Sequence, residues 1–218
     1  MLSVIIPAYK ATKYIDECIA SIKGDCEILI GVDACEETYS HIKHLENVYY
    51  FKKNVGPYVI KNTLVDEAKY DNILFFDSDD IMVPGTIERI IEALKSKDYV
   101  KLSYIDFINK PLLSGIVYSN AVIGIKKHLI KSINGFYPWR CSADTELTYR
   151  LEHNNFSCKT IPDVCYYRRL HQDNLTVKQE TGHGSPIRKV YVEYINLHLS
   201  RKTWPNPPIK TIQDYVKN

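Results

Sequence analysis

The sequence predicts an α/β fold on a mostly parallel sheet. Four short apolar runs in the first 76 residues have the length and β-branched content of buried strands, and helix-like segments lie between them. The chain is also large enough for one sizeable core: 218 residues, 45% of them hydrophobic, with only 9 Gly and 10 Pro to break it.

In order, Leu2–Ala8 is a β-branched run stopped by Pro7, and Thr12 then caps a segment with Ile15, Cys18, Ile19 and Ile22 at helical spacing. Residues 27–33 form a second apolar strand ending in Asp33, and 48–51 a third. Asn54-Val-Gly-Pro57 turns into a helix over 58–69. The fourth strand, 72–76, runs directly into Asp77-Ser-Asp-Asp80. Pro84 and Gly85 precede a helix with Ile87, Ile90, Ile91 and Leu94 on one face. The second half reads as α+β: strands at 99–107 and 115–125, a loop at 135–139, a helix at 143–153 and a strand at 160–168. A last amphipathic helix over 187–199 points Ile187, Val190, Tyr191, Tyr194 and Ile195 inward, before a Pro-rich tail at 205–208. One domain is expected over 1–218.

With 28 Lys+Arg against 26 Asp+Glu, the net charge of +2 demands neither a nucleic-acid nor a membrane partner. Six Cys with no CxxC pair predict reduced, packed thiols and no zinc. No apolar run approaches the roughly 20 residues of a membrane span. Met1–Pro7 lacks the basic start of a leader, so a cytoplasmic protein is expected.

The chemistry points first to Asp77, Ser78, Asp79 and Asp80, at the carboxyl end of a buried strand, where open α/β sheets bind their ligands. Adjacent carboxylates repel one another, and a hard divalent cation removes that repulsion while accepting phosphate oxygens. An EF-hand is excluded, because the register puts Met82 where the loop needs Gly. A haloacid-dehalogenase-type phosphatase, which also begins with an apolar strand and Asp-x-Asp, stays open as an alternative.

Four segments in order then carry a resemblance: Ser3-Val-Ile-Ile-Pro-Ala-Tyr9, a strand ending in Asp33, Asn54-Val-Gly56 with Lys61-Asn62, and Phe75-Phe-Asp-Ser-Asp-Asp-Ile81. They resemble the opening half of family-2 glycosyltransferases. Gly135-Phe136, Ala143-Asp-Thr-Glu-Leu147 with Arg150-Leu151, and Tyr166-Tyr-Arg-Arg-Leu-His171 resemble the family's later motifs, so the likeness covers roughly residues 2–176. It implies the GT-A fold, a Rossmann-like mixed sheet flanked by helices, here with a small C-terminal helical extension. The implied organisation is a nucleotide-binding half (1–98), an acceptor half (99–176) and the extension (177–218).

The resemblance implies transfer of a sugar from a nucleotide donor, with UDP-sugar foremost, to a hydroxyl acceptor with inversion. Pro7, Ala8, Tyr9 and Asp33 would hold the base, and Lys61, Asp77 and Ser78 the rest of the nucleotide. Asp77, Asp79 and His171 would hold Mn²⁺ or Mg²⁺, and Asp144 would be the general base. Trp139, Tyr137 and Glu146 would line the acceptor site, with Glu146 standing in for an acidic residue that Ala143 replaces. The acceptor is a glycan by default. A nucleic-acid base or a protein side chain stays open, as does a non-catalytic sugar-nucleotide-binding subunit, and no oligomeric state follows from the sequence.

Overall fold

The computed structural model describes residues 1–108 and 115–208; the last ten residues of the expected extension lie outside that range. In chain order the elements are β1 (Leu2–Ala8), α1 (Ile15–Ser21), β2 (Cys26–Asp33), α2 (Glu36–Ile42), β3 (Val48–Phe51), α3 (Pro57–Glu67), β4 (Asn72–Phe75), β5 (Ile81–Met82) and α4 (Thr86–Leu94). There follow β6 (Tyr99–Phe107), β7 (Val117–Lys126), α5 (Lys127–Ser132), α6 (Ala143–His153), β8 (Cys158–Arg169) and α7 (Pro186–Arg201). The strands form one sheet in the order β3-β2-β1-β4-β7-β6-β8-β5.

The first four strands are mutually parallel, as expected, and the direction changes at β4, which pairs antiparallel with β7. The sheet is therefore mixed: β6 runs antiparallel to β7 and parallel to β8, and β5 closes the edge antiparallel to β8. Both faces are covered. Along β1, Leu2, Val4 and Ile6 enter the core under α1 and α4, whereas Ile5 enters the core under α3 and α6, the two-residue alternation of a strand buried on both sides. Gly31 of β2 lets α3 approach: a Cβ there would overlap Ile60.

Between Asp33 and Val48 the chain also forms α2, whose mostly polar sequence buries only Thr38 and Ile42. Two local expectations are corrected. The first helix begins at Ile15, with no side-chain cap, rather than being capped by Thr12. On α7 only Ile195 is fully buried, and Val190 is 60% exposed, because the helix lies on the body through its aromatic side chains rather than through an aliphatic stripe. All six cysteines are free thiols. Among the described residues no helix is long and apolar enough to cross a membrane.

Candidate functional site

β1 and β4 are neighbours that run the same way, so their carboxyl ends bring residues 7–9 beside 77–80. The chain reaches β2 on one side of β1 and β4 on the other, which makes this gap the switch point of the parallel half. Ala8 is buried, Pro7 half-buried, and Tyr9 is 43% exposed at the rim. The Tyr9 ring has the ammonium groups of Lys10 and Lys178 5.5 and 5.9 Å from its centroid. Asp33, 4% exposed, accepts the N–H groups of Val55 (2.7 Å) and Gly56 (3.0 Å), so its carboxylate fastens the turn that opens α3. Burial pushes its pKa up, and those two N–H bonds oppose the shift.

The acidic turn is asymmetric. Asp77 Oδ1 is 3.2 Å from the ammonium of Lys61, which is 2% exposed and surrounded by the rings of Tyr58, Phe75 and Phe136. Burial raises the Asp77 pKa, and Lys61 holds it down. Ser78 is half-buried beside it. Asp79 Oδ2 is 2.8 Å from His171 Nε2 and accepts the Asn174 amide at 3.1 Å, which joins residues more than 90 positions apart. Asp80 is buried and accepts the backbone N–H of Arg169; burial, then the charges of Asp79 and Asp77, push its pKa well up. It belongs to the turn's frame.

Asp79 and His171 are an oxygen and a nitrogen donor of the kind Mn²⁺ accepts, so the pair fits a divalent cation that takes further ligands from a diphosphate. The expected three-residue set is not assembled, however. Among the described residues no group of three or more His, Cys, Asp or Glu is arranged for a metal, and Asp77 turns one oxygen toward Lys61 instead. Both arginines shortly before His171 are engaged within the protein. Arg168 is bidentate to Asp106 (2.6 and 2.9 Å). Arg169 braces the acidic turn through the Asp79 carbonyl and binds Glu17, its guanidinium lying against Tyr14 and Phe107.

Asp144 sits in the first turn of α6, half-buried, with the Tyr58 hydroxyl donating to its Oδ1 at 3.0 Å. The loop before it is docked by Asn62, whose amide makes two 2.8 Å bonds with the N–H and C=O of Phe136 in the manner of a neighbouring strand. Gly135 has φ +66°, and a Cβ there would overlap Asn62. Glu146 is corrected: it is fully buried and bidentate to the equally buried Arg150, which also donates to the carbonyls of Ile133 and Gly135. It holds the loop from beneath and is out of an acceptor's reach.

Tyr137 and Trp139 are half-buried in contacts with α7. Trp139 stacks on Tyr191 at 4.4 Å and 5°, and the Tyr137 hydroxyl meets those of Tyr194 (2.9 Å) and the Pro205 carbonyl (2.8 Å). Their faces are engaged within the protein. Four further side chains, Tyr58, Asn174, Arg140 and Arg188, shape the site although the linear pattern gives them no role in it. Arg140 clamps the 54–56 turn through Asn54, and Arg188 of α7 binds the Ser142 hydroxyl and the carbonyls of Leu175 and Thr181. Asn174 stands three residues after His171 in the closing motif and Arg188 in a basic stretch of the tail, both usable signals; Tyr58 and Arg140 have none in the linear pattern.

The family model described as "Glycosyl transferase family 2" matches residues 3–195. An uncharacterized glycosyltransferase of Rickettsia conorii is 28% identical over 141 residues, covering 56% of this chain but 23% of that protein, so this chain spans about a quarter of its relative's length. Among solved structures, S. aureus TarS 1–349 in complex with UDP-GlcNAc has a TM-score of 0.68 at 18% identity, covering 91% of this chain and 72% of that one. The mannosyltransferase PcManGT from Pyrobaculum calidifontis, in complex with GDP-Man and Mn²⁺, has a TM-score of 0.65 at 13% identity, covering 91% and 69%. Both share the mixed sheet flanked by helices.

Proposed function

This chain belongs to glycosyl transferase family 2, and we propose that it transfers a sugar from a nucleotide donor, foremost a UDP-sugar, to a hydroxyl of a glycan acceptor with inversion at the anomeric carbon. One observation carries the reading: Lys61–Asp77, Asp79–His171 and Tyr58–Asp144 converge at the carboxyl end of β4, with Asp77 and Asp144 close enough to influence one another electrostatically. The nucleotide-bound neighbours support the donor class. In this reading 1–98 is the nucleotide-binding half, 99–176 the acceptor half and 177–218 the extension, whose α7 braces the acceptor loop.

The base lies at Pro7, Ala8 and Tyr9, above the turn that Asp33 fixes, and Asp77 and Ser78 face the ribose and diphosphate. Lys61 cancels the charge of Asp77, so that an anionic ligand meets less repulsion there. Asp79 and His171, with the free oxygen of Asp77, would hold Mn²⁺ or Mg²⁺, which when bound neutralises charge on the departing diphosphate. Asp144 takes the acceptor proton on its unengaged oxygen as the hydroxyl attacks from the face opposite the leaving group. The family assignment leaves the phosphatase alternative without support.

The test is thermal unfolding with UDP, GDP and their sugars, with and without Mn²⁺, in the wild type and Asp79→Ala. Ligands of the native state raise the midpoint by mass action. A Mn²⁺-dependent rise with one nucleotide class, lost in Asp79→Ala, is expected. An equal rise in the mutant would remove Asp79 from the donor site.

A further inference from the structure

We infer that Tyr58 is a positioning residue for Asp144: its hydroxyl holds one carboxylate oxygen so that the other is presented to the attacking hydroxyl. The inference rests on the reading of Asp144 as the base. The Tyr58 hydroxyl donates to Asp144 Oδ1 at 3.0 Å, and among the described residues no other side-chain hydrogen bond reaches that carboxylate. The phenol itself is immobile. Tyr58 is 6% exposed, lies in the first turn of α3 behind Pro57, and packs on Phe136 with ring centroids 5.4 Å apart. Lys61 lies 5.7 Å from the same ring.

The charges around Asp144 explain why a phenol suits this place. Asp77 acts on Asp144 across the site as a like charge. Repulsion from Asp77 favours rotation of Asp144 away from the reaction centre, and a fixed hydrogen bond opposes that rotation. A lysine or arginine there would hold the carboxylate equally well but would weaken it as a base, because an adjacent cation favours the ionised form strongly. A neutral donor orients it at a smaller cost in basicity. The two carboxylates are thus treated differently: Lys61 neutralises Asp77, and Tyr58 only aims Asp144. Packing alone does not require the hydroxyl, since a phenylalanine fills the same volume.

The experiment compares Tyr58→Phe and Asp144→Asn with the wild type. The probes are UDP-glucose, UDP-galactose, UDP-N-acetylglucosamine and GDP-mannose with Mn²⁺. Release of the nucleoside diphosphate into water gives kcat, and calorimetry with UDP and GDP gives Kd. Tyr58→Phe is expected to lower kcat about 10- to 100-fold, the range for one hydrogen bond to a charged group. Its nucleotide Kd should stay within about twofold of wild type, because only an aim is lost. Wild-type kcat in Tyr58→Phe beside an inactive Asp144→Asn overturns the inference and leaves the base assignment standing. A Kd that weakens in step with kcat also overturns it, by placing Tyr58 at the donor. Full turnover in Asp144→Asn removes the base assignment itself.

Discussion

Replacing Glu146 by alanine should strip a counter-charge from the core. Both partners of the Glu146–Arg150 pair are 0% exposed, and the guanidinium also donates to the carbonyls of Ile133 and Gly135. Removing the carboxylate leaves a cation that cannot reach water, a loss of about 3–5 kcal/mol. Glu146→Gln keeps the shape and one acceptor but loses the counter-charge as well, so its cost should lie between that of the wild type and that of the alanine variant. Against a total of roughly 5–15 kcal/mol, the alanine variant is close to the limit of folding. At about 2–4 °C per kcal/mol for a chain of this size, its midpoint should fall by roughly 6–20 °C. Urea unfolding at constant slope measures both variants. The double variant Glu146→Ala/Arg150→Met should recover part of the loss, since no buried charge remains. A loss under about 1 kcal/mol in Glu146→Ala would refute the argument and return Glu146 to the acceptor site.

Lys61→Met should weaken UDP·Mn²⁺ binding roughly tenfold, by leaving Asp77 uncompensated; calorimetry checks it, and unchanged affinity would detach Lys61 from the donor. Asp98 accepts the N–H and hydroxyl of Ser157 and faces Lys126, and these hold its pKa below the ordinary aspartate value of 3.8. Its stabilisation is therefore fully present above about pH 3.8 and lost as pH falls through the lower folded value; Asp98→Asn should flatten that acid limb in unfolding curves taken between pH 2 and 5, roughly the range over which a carboxylate titrates. Trp139→Ala removes the stack on Tyr191 and should cost about 2 kcal/mol, less than a fully buried Trp, with faster amide exchange confined to 186–204. Exchange spread evenly over the sheet would show that the stack does more than seat α7.

The parallel half of the sheet was legible because each strand is a self-contained apolar run, and Asp77–Asp80 because a carboxylate cluster after such a run has few structural uses. What escaped was information held between segments. Glu146 and Arg150 stand at i and i+4, a spacing that reads equally as a surface pair; only the loop above them shows that they are sealed. Tyr58 and Asp144 are 86 positions apart, and nothing near Tyr58 announces its partner. On α7 the aromatic residues do the seating, and a helical wheel that scores aliphatic and aromatic side chains alike turns Val190 inward. Residues 34–47 have too little apolar content to show a period, though α2 forms there.

The adjacency of β4 and β7 bears on how the chain is made. β4 is central, yet the strand that covers its second edge ends at Lys126, some fifty residues further on. At about 5–20 residues per second, a ribosome needs roughly 3–10 s to cross that interval. During that time the parallel half can already collapse, with the apolar Ile73-Leu-Phe75 edge unpaired beside the acidic turn. Such an edge is a template for another nascent chain. Holding factors that bind short apolar segments during translation should therefore act on this chain before β7 emerges, and slow codons between residues 76 and 126 should lengthen the exposure and lower the soluble yield.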